Sequence, residues 1–212
     1  MRKLFGYLEG KSHVIWDWNG TLLDDVDISV EALGTVLESQ GLPLQTRAKY
    51  LERFRFPIAE YYAEIGIEIR PESYATLAKQ FIDSYDRRIE RARLYAGVED
   101  LLHDLAAAGV SSSVLSAAHE PDLKRLLGAY GISSHFTHVY GLGNKWAHGK
   151  IERGRQLMAT IGLPPAQVIL VGDTDHDLAV GRDLGVDVLL LTAGHQHESR
   201  LRSRHDRVVE RY

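Results

Sequence analysis

The residues predict an α/β fold: a doubly wound, Rossmann-like parallel sheet with an all-helical domain inserted into it. Three observations carry this. Short apolar runs alternate with helical patterns from residue 97 onward, and a Gly closes each of those patterns. The stretch after the first run has helical periodicity and no convincing strand. The apolar runs are Ser12 to Trp18, Ser112 to Ser116, His138 to Leu142, Val168 to Gly172, Val186 to Thr192 and Arg207 to Val209. Most are rich in Val, Ile and Leu, as parallel strands covered on both faces are.

The helices follow from spacing. Val98, Leu101, Leu102 and Leu105 recur at helical intervals before Gly109, and Leu123, Leu126 and Leu127 lie between Pro121 and Gly131. Ile151 to Ile161 stops at Gly162, and Leu178 to Leu184 stops at Gly185. Between Asp24 and Arg93, Ile28, Ala32, Leu33, Val36 and Leu37 mark one helix. A second pattern runs from Pro71 through Leu77, Phe81, Ile82 and Tyr85 to Ile89. The expected division is a core of residues 1–23 and 94–212 with a helical cap over 24–93. The tyrosines and phenylalanines of that cap are expected to form its core.

Composition narrows the function. The 212 residues include no Cys, which excludes a disulfide scaffold and Cys-ligated zinc or iron–sulfur centres. A formal net charge of -4 speaks against nucleic-acid or acidic-membrane partners, so the expected partner is a small molecule. The apolar stretch behind Arg2 and Lys3 is too short for a signal peptide, and no run approaches a membrane span. The expectation is a soluble, cytoplasmic monomer or homodimer. The C-terminal arginines, Arg200 to Arg211, are interleaved with acids and read as a solvated surface.

Two clusters of acids carry chemistry. The first strand ends in Asp17, Trp18, Asn19, Gly20, Thr21, and an acid at the carboxyl end of a buried strand sits where open α/β sheets bind ligands. Val168 to Gly172 runs into Asp173, Asp175 and Asp177. Three clustered anions repel one another unless a cation joins them, and an oxygen-rich set suits Mg²⁺. Ser116, before a helix start, and Lys150, at the head of the next helix, are placed to receive a phosphate.

In this order along the chain, the four elements resemble the haloacid dehalogenase superfamily, in particular its phosphoglycolate phosphatase-like members with a helical cap after the first motif. The resemblance covers Ser12 to Thr192: Asp17 to Thr21 match the first motif, Ser116 the second, Lys150 the third, and Gly172 to Asp177 the fourth. It implies attack by Asp17 on phosphorus and hydrolysis of the aspartyl-phosphate. It also implies Mg²⁺ held by Asp17, the backbone carbonyl of Asn19 and Asp173, with Asp177 close by. Ser116, Ala117, Lys150, Gly20 and Thr21 would bind the phosphoryl group, and Lys145 is a rival for the third motif.

One residue departs from the family. Its phosphatases carry Asp two residues after the nucleophile, where this chain has Asn19, which can neither protonate a leaving oxygen nor deprotonate water. Such acid–base help is worth about 10²–10⁴ in rate, so slow hydrolysis of simple esters is expected. A substrate whose leaving group needs little protonation, or a proton from His119 or His176, would remove the deficit. Two other readings stand beside a phosphatase: a phosphonatase-like C–P hydrolase using a cap lysine, Lys49 or Lys79, and a pseudoenzyme that binds phosphorylated ligands. In the cap, Arg53 to Pro57 resembles the family's substrate-selecting turn, and Arg55 could hold a carboxylate or a second phosphate on a small phosphorylated metabolite.

Overall fold

Neighbouring residues of the first strand feed two different cores. Val14 and Trp16 pack into one buried cluster with Val98, Leu101 and Leu123, whereas Ile15 packs into another with Leu115, Leu157 and Leu178. That alternation is the period of a pleated strand covered on both faces. The structure, a computed structural model, describes residues 6–143 and 149–210.

In chain order the first elements are β1 (His13–Trp16), β2 (Leu23–Asp24), α1 (Val26–Ser39), α2 (Arg47–Arg53), α3 (Ile58–Glu64), α4 (Pro71–Asp86) and β3 (Arg93–Leu94). There follow α5 (Val98–Ala107), β4 (Ser111–His119), α6 (Glu120–Ala129), β5 (Phe136–Leu142), α7 (Lys150–Ile161) and β6 (Val168–Gly172). The last are α8 (Asp175–Leu184), β7 (Asp187–Leu191), α9 (Glu198–Arg202) and β8 (Val208–Val209).

Six strands form one sheet in the order β5-β4-β1-β6-β7-β8, and every pairing is parallel. The chain leaves β1 for β4 on one side and returns to β6 on the other, so a topological switch point lies beside β1. The α/β class is as the residues predict, and all six apolar runs contain strands. β4 is longer than expected, continuing past Ser116 to His119, and its register against β5 shifts between Leu115 and His119. Such an irregularity re-aims side chains at a strand's carboxyl end. Gly162 and Gly185 close α7 and α8 with φ of 70° and 69°, a left-handed conformation that costs a glycine nothing.

Between β2 and β3 lie four helices with a buried cluster of their own, including Leu33, Leu37, Tyr50, Tyr61 and Leu77. α1 and α4 are the two helices their periodicity announces. α2 buries only Tyr50, and α3 only the adjacent Tyr61 and Tyr62, so neither shows an apolar stripe in sequence. β2 and β3 pair Leu23 with Leu94 and Asp24 with Arg93, bringing both ends of the helical segment to one place. Two residues are too few to show strand alternation, which is why this ribbon is invisible in the sequence. No helix among the described residues is long and apolar enough to cross a membrane.

His13 in β1 is a buried weak point. The Ser111 hydroxyl donates to the Ser12 carbonyl, so it accepts the His13 Nδ1 proton at 2.6 Å, and Nε2 has no partner among the described residues. Burial, helped by His138, lowers this imidazole from 6.5 to about 4. Between those values the unfolded chain binds a proton that the folded one refuses, so stability falls as pH drops from 6.5 toward 4. Thermal melts across this range should lose several degrees, and His13→Leu should flatten the slope; an unchanged slope would exclude His13 as its source.

Candidate active site

β4, β1 and β6 lie side by side, so Ser116 on β4, Asp17 just after β1 and Asp173 just after β6 meet at the carboxyl edge of the sheet. Asp17, Asp173 and Asp177 are buried, and each offers a carboxylate oxygen within 4.8 Å of the others. Lys150, the first residue of α7, is also buried and sets its ammonium between two of them. Its Nζ donates to Asp17 Oδ1 at 2.5 Å and to Asp177 Oδ1 at 2.6 Å. Lys145 lies outside the described residues.

One ammonium cannot balance three buried carboxylates. Burial, and repulsion from Asp177, raise Asp17 despite Lys150, and burial with its two acidic neighbours raises Asp173 despite His195. Asp177 is held below its usual range, because Lys150 and the Thr174 hydroxyl outweigh its burial. An ion removed from water without a partner costs several kcal/mol. A divalent cation that prefers oxygen fits this donor set: hard ligands, clustered negative charge, and two acids raised because burial and mutual repulsion penalise their charge.

The acids of the fourth motif divide. Asp177 Oδ2 accepts from the Thr174 hydroxyl at 2.6 Å and from the Thr174 N–H at 3.0 Å, capping α8 while Oδ1 takes Lys150. Asp173 accepts from Thr21 Oγ1 at 3.0 Å and from the His195 N–H at 2.6 Å. A Cβ on Gly20 or Gly194 would overlap the Asp173 carboxylate, so both positions exclude a side chain. Asp175, grouped with the other acids in the sequence, turns away to Gln196 and to Arg200, whose guanidinium reaches it at 2.8 Å. Several C-terminal arginines are likewise paired: Arg202 with Glu198, Arg204 with Asp175 and Arg207 with Asp187.

Asn19 is tied into a network that the sequence did not reveal. Its Nδ2 donates to Asp25 Oδ2 at 2.9 Å and to the Tyr85 hydroxyl at 2.6 Å, and Tyr85 donates to the same Asp25 oxygen at 2.6 Å. Asp25 Oδ1 accepts from the Gly20 N–H at 2.8 Å and pairs with His195 Nε2 at 3.2 Å, while His195 Nδ1 meets the Tyr50 hydroxyl at 2.9 Å. Burial alone would lower His195, but Asp25, with Asp173 and Asp17, raises it to about 9. Asp25 stays ionised against its burial through His195, Tyr85 and Asn19. The available signals were slight: Asp25 closes the acidic end of the first motif, and His195 follows Gly194 after β7.

A cavity of about 290 Å³ opens over these groups. Asp17, Asn19, Ser116, Ala117, Lys150, Asp173 and Asp177 line it. Ser116 Oγ accepts from the Ala118 N–H at 3.0 Å, which leaves its own proton to donate. His119 and His176 also line it, the first paired with Asp122 at 2.8 Å and the second stacked 4.7 Å from Phe56 and lowered by burial. Gly20 and Thr21 stand behind the wall, holding Asp25 and Asp173. Arg55 is outside the lining and pairs with Glu64, leaving its neighbours Phe54 and Phe56 to face the cavity. Lys49 and Lys79 are exposed and outside the lining, so the cavity wall contains no cap lysine for a Schiff base. Several aromatic residues expected only as core, Tyr50 and Tyr61 among them, are both core and cavity wall.

The family model for haloacid dehalogenase-like hydrolases matches residues 14–191. The chain belongs to that family. Among curated hydrolase-family relatives, the "Probable phosphatase IndB" of Dickeya dadantii is 26% identical over 94% of this chain and 89% of its own. The "Phosphoglycolate phosphatase" of Caulobacter vibrioides is 27% identical over 87% and 81%. The "Tyrosine-protein kinase PtkA" of Mycobacterium tuberculosis is 26% identical over 88% of this chain but 64% of its own length. The same fold occurs in a haloacid dehalogenase-like hydrolase of Bacteroides fragilis, with TM-score 0.82, 16% identity and coverage of 95% and 97%. It recurs in a family member of Streptococcus pneumoniae, with TM-score 0.78, 22% identity and 94% of both chains covered.

For this hydrolase, removing the lysine from the ring should be costly. Lys150→Met leaves Asp17 and Asp177 facing each other, and metal-free urea unfolding should show a loss of about 3–5 kcal/mol. Millimolar Mg²⁺ should narrow that deficit. A loss under about 1 kcal/mol would mean that the ammonium is not what holds the carboxylates together.

Proposed function

We propose that this chain is a Mg²⁺-dependent phosphohydrolase that passes the phosphoryl group of a small phosphorylated metabolite to Asp17 and then to water. The buried ring of Asp17, Asp173 and Asp177 with Lys150 set into it is the observation that carries the reading. Such a ring has little structural purpose without a cation and an anionic guest. Asp17, the Asn19 backbone carbonyl and Asp173 would hold Mg²⁺, which when bound neutralises charge on the transferring phosphoryl group. Lys150 restrains the Asp17 carboxylate at Oδ1 and adds a second positive charge beside it. The Ser116 hydroxyl and the Ala117 backbone bind phosphoryl oxygens, a role for which Ser116 keeps a free proton.

Residues 24–93 serve as a cap on the core of residues 1–23 and 94–212 in this reading. Their aromatic side chains cover the carboxyl edge and keep bulk water from the acyl phosphate. Asn19 gives both amide protons to Asp25 and Tyr85, so only its carbonyl is left for the reaction. That carbonyl can orient water and cannot supply a proton. The leaving group therefore departs as an anion, and simple alkyl esters react slowly.

Asp17→Asn should abolish Mg²⁺-dependent release of phosphate from acetyl phosphate and p-nitrophenyl phosphate. If both proteins stay at background, a binding protein without turnover replaces the enzyme reading. Asn19→Asp should raise turnover of alkyl phosphates at least about tenfold. The exchange Asn19→Asp with Asp25→Asn keeps one amide and one carboxylate in contact, and controls for repulsion between the two acids.

A further inference from the structure

The cavity wall carries more information than its carboxylate floor. Away from the acids it is built by Phe54, Phe56, Tyr74, Phe81, Ile82 and Tyr85, all from the helical segment. A second charged group on a substrate would need a cation there. Among the described lining residues the lysine and arginine are Lys150, spent on Asp17 and Asp177, and Arg125, which is exposed on α6. His195 is buried against Asp25 and Asp173, and Arg55 has turned to Glu64. In the part of the wall that the helical segment builds, a carboxylate at a substrate's far end meets no lysine or arginine among the described residues.

A separate observation concerns the scissile bond. Position 19 has no proton to give, because its amide is bound to Asp25 and Tyr85. Of the imidazoles on this side, His119 is turned to Asp122 at 2.8 Å and His176 stacks on Phe56 at 4.7 Å. Cleavage without a proton from position 19 favours a leaving oxygen that is stable as an anion. A phenol, ionising near pH ~10, meets that need far better than an alkanol.

The aromatic wall and the lack of a proton at position 19 point to one chemistry. We propose that the substrate is an aryl phosphate monoester, seated with its ring among Phe54, Phe56, Phe81 and Tyr85 and its phosphoryl group over Asp17. Aromatic rings stack or meet edge to face in such walls with little entropy to lose. In the first step an Asp17 oxygen bonds to phosphorus as the ester P–O bond breaks, and the phenolate leaves with the bonding pair and takes a proton from solvent. In the second, water bonds to phosphorus and the P–O bond to Asp17 breaks, releasing the carboxylate, inorganic phosphate and a proton to solvent. This inference rests on the phosphohydrolase reading above.

Steady-state kinetics of the full chain with Mg²⁺ test it in separable arms. Acetyl phosphate, which carries no aryl group, reports on the phosphohydrolase reading alone; no turnover of it, in a folded protein, overturns that reading and this inference with it. If it is hydrolysed, kcat/KM for phenyl and 2-naphthyl phosphate should exceed that for hexyl phosphate and phosphoglycolate by at least about 100-fold. Substituted phenyl phosphates should show rates that climb steeply with the acidity of the phenol. Phe81→Ala should raise KM for 2-naphthyl phosphate about tenfold more than it raises KM for acetyl phosphate. Tyr74→Ala is the second variant if Phe81→Ala does not fold. Equal efficiency on alkyl and aryl esters, a flat dependence on phenol acidity, or variants that slow acetyl phosphate as much as the naphthyl ester would each overturn the inference.

Discussion

A single ammonium buried among three carboxylates organises this protein. Lys150 reaches Asp17 and Asp177 at hydrogen-bond distance with almost no water around it. In water such pairs contribute little, but in a buried site each unbalanced charge costs several kcal/mol, so geometry and charge count must both be met. The parallel sheet meets the first demand. Its switch point brings the ends of β1 and β6 together, and α7 and α8 deliver Lys150 and Asp177 from the layer beneath. The second demand is left partly open, and the surplus negative charge is what a cation at this place would balance.

Asn19 is a built feature of the same site. Were it aspartate, its carboxylate would stand against Asp25, which is already ionised and held by His195, Tyr85 and Gly20. The amide is the side chain of that shape that gives protons to Asp25 and Tyr85 at once. The network ties the loop after β1 to two helices of the inserted segment, through Tyr85 on α4 and Tyr50 on α2. The chemistry at position 19 and the seating of those helices are therefore parts of one arrangement. Tyr50 and Tyr61 show the same economy, since each packs into the helical core and also faces the cavity.

Local patterns made much of this legible. The strands of the sheet and the helices α1 and α4 to α8 announce themselves through period and through Gly stops, because each buries a continuous face. Asp17, Ser116, Lys150, Asp173 and Asp177 are legible for a different reason: each sits at the edge of a strand or the head of a helix, where its position follows from the element. Asp175 shows the limit of that logic. Its spacing matches its neighbours, yet on the first turn of α8 it points toward Arg200 instead of Asp17.

Read alone, the residues settle the α/β class, the order of the strands' chemistry and the identity of the buried acids, because those depend on contacts within an element or on its ends. They do not say where Asn19 sends its protons, that Arg55 turns outward while Phe54 and Phe56 turn inward, or that His195 stands behind Asp173. These depend on partners such as Tyr85 and His195, which lie 60 and 170 residues from the Asp25 they share. No periodicity spans such distances. Only tertiary packing brings those side chains into hydrogen-bond reach, and burial then makes each proton matter.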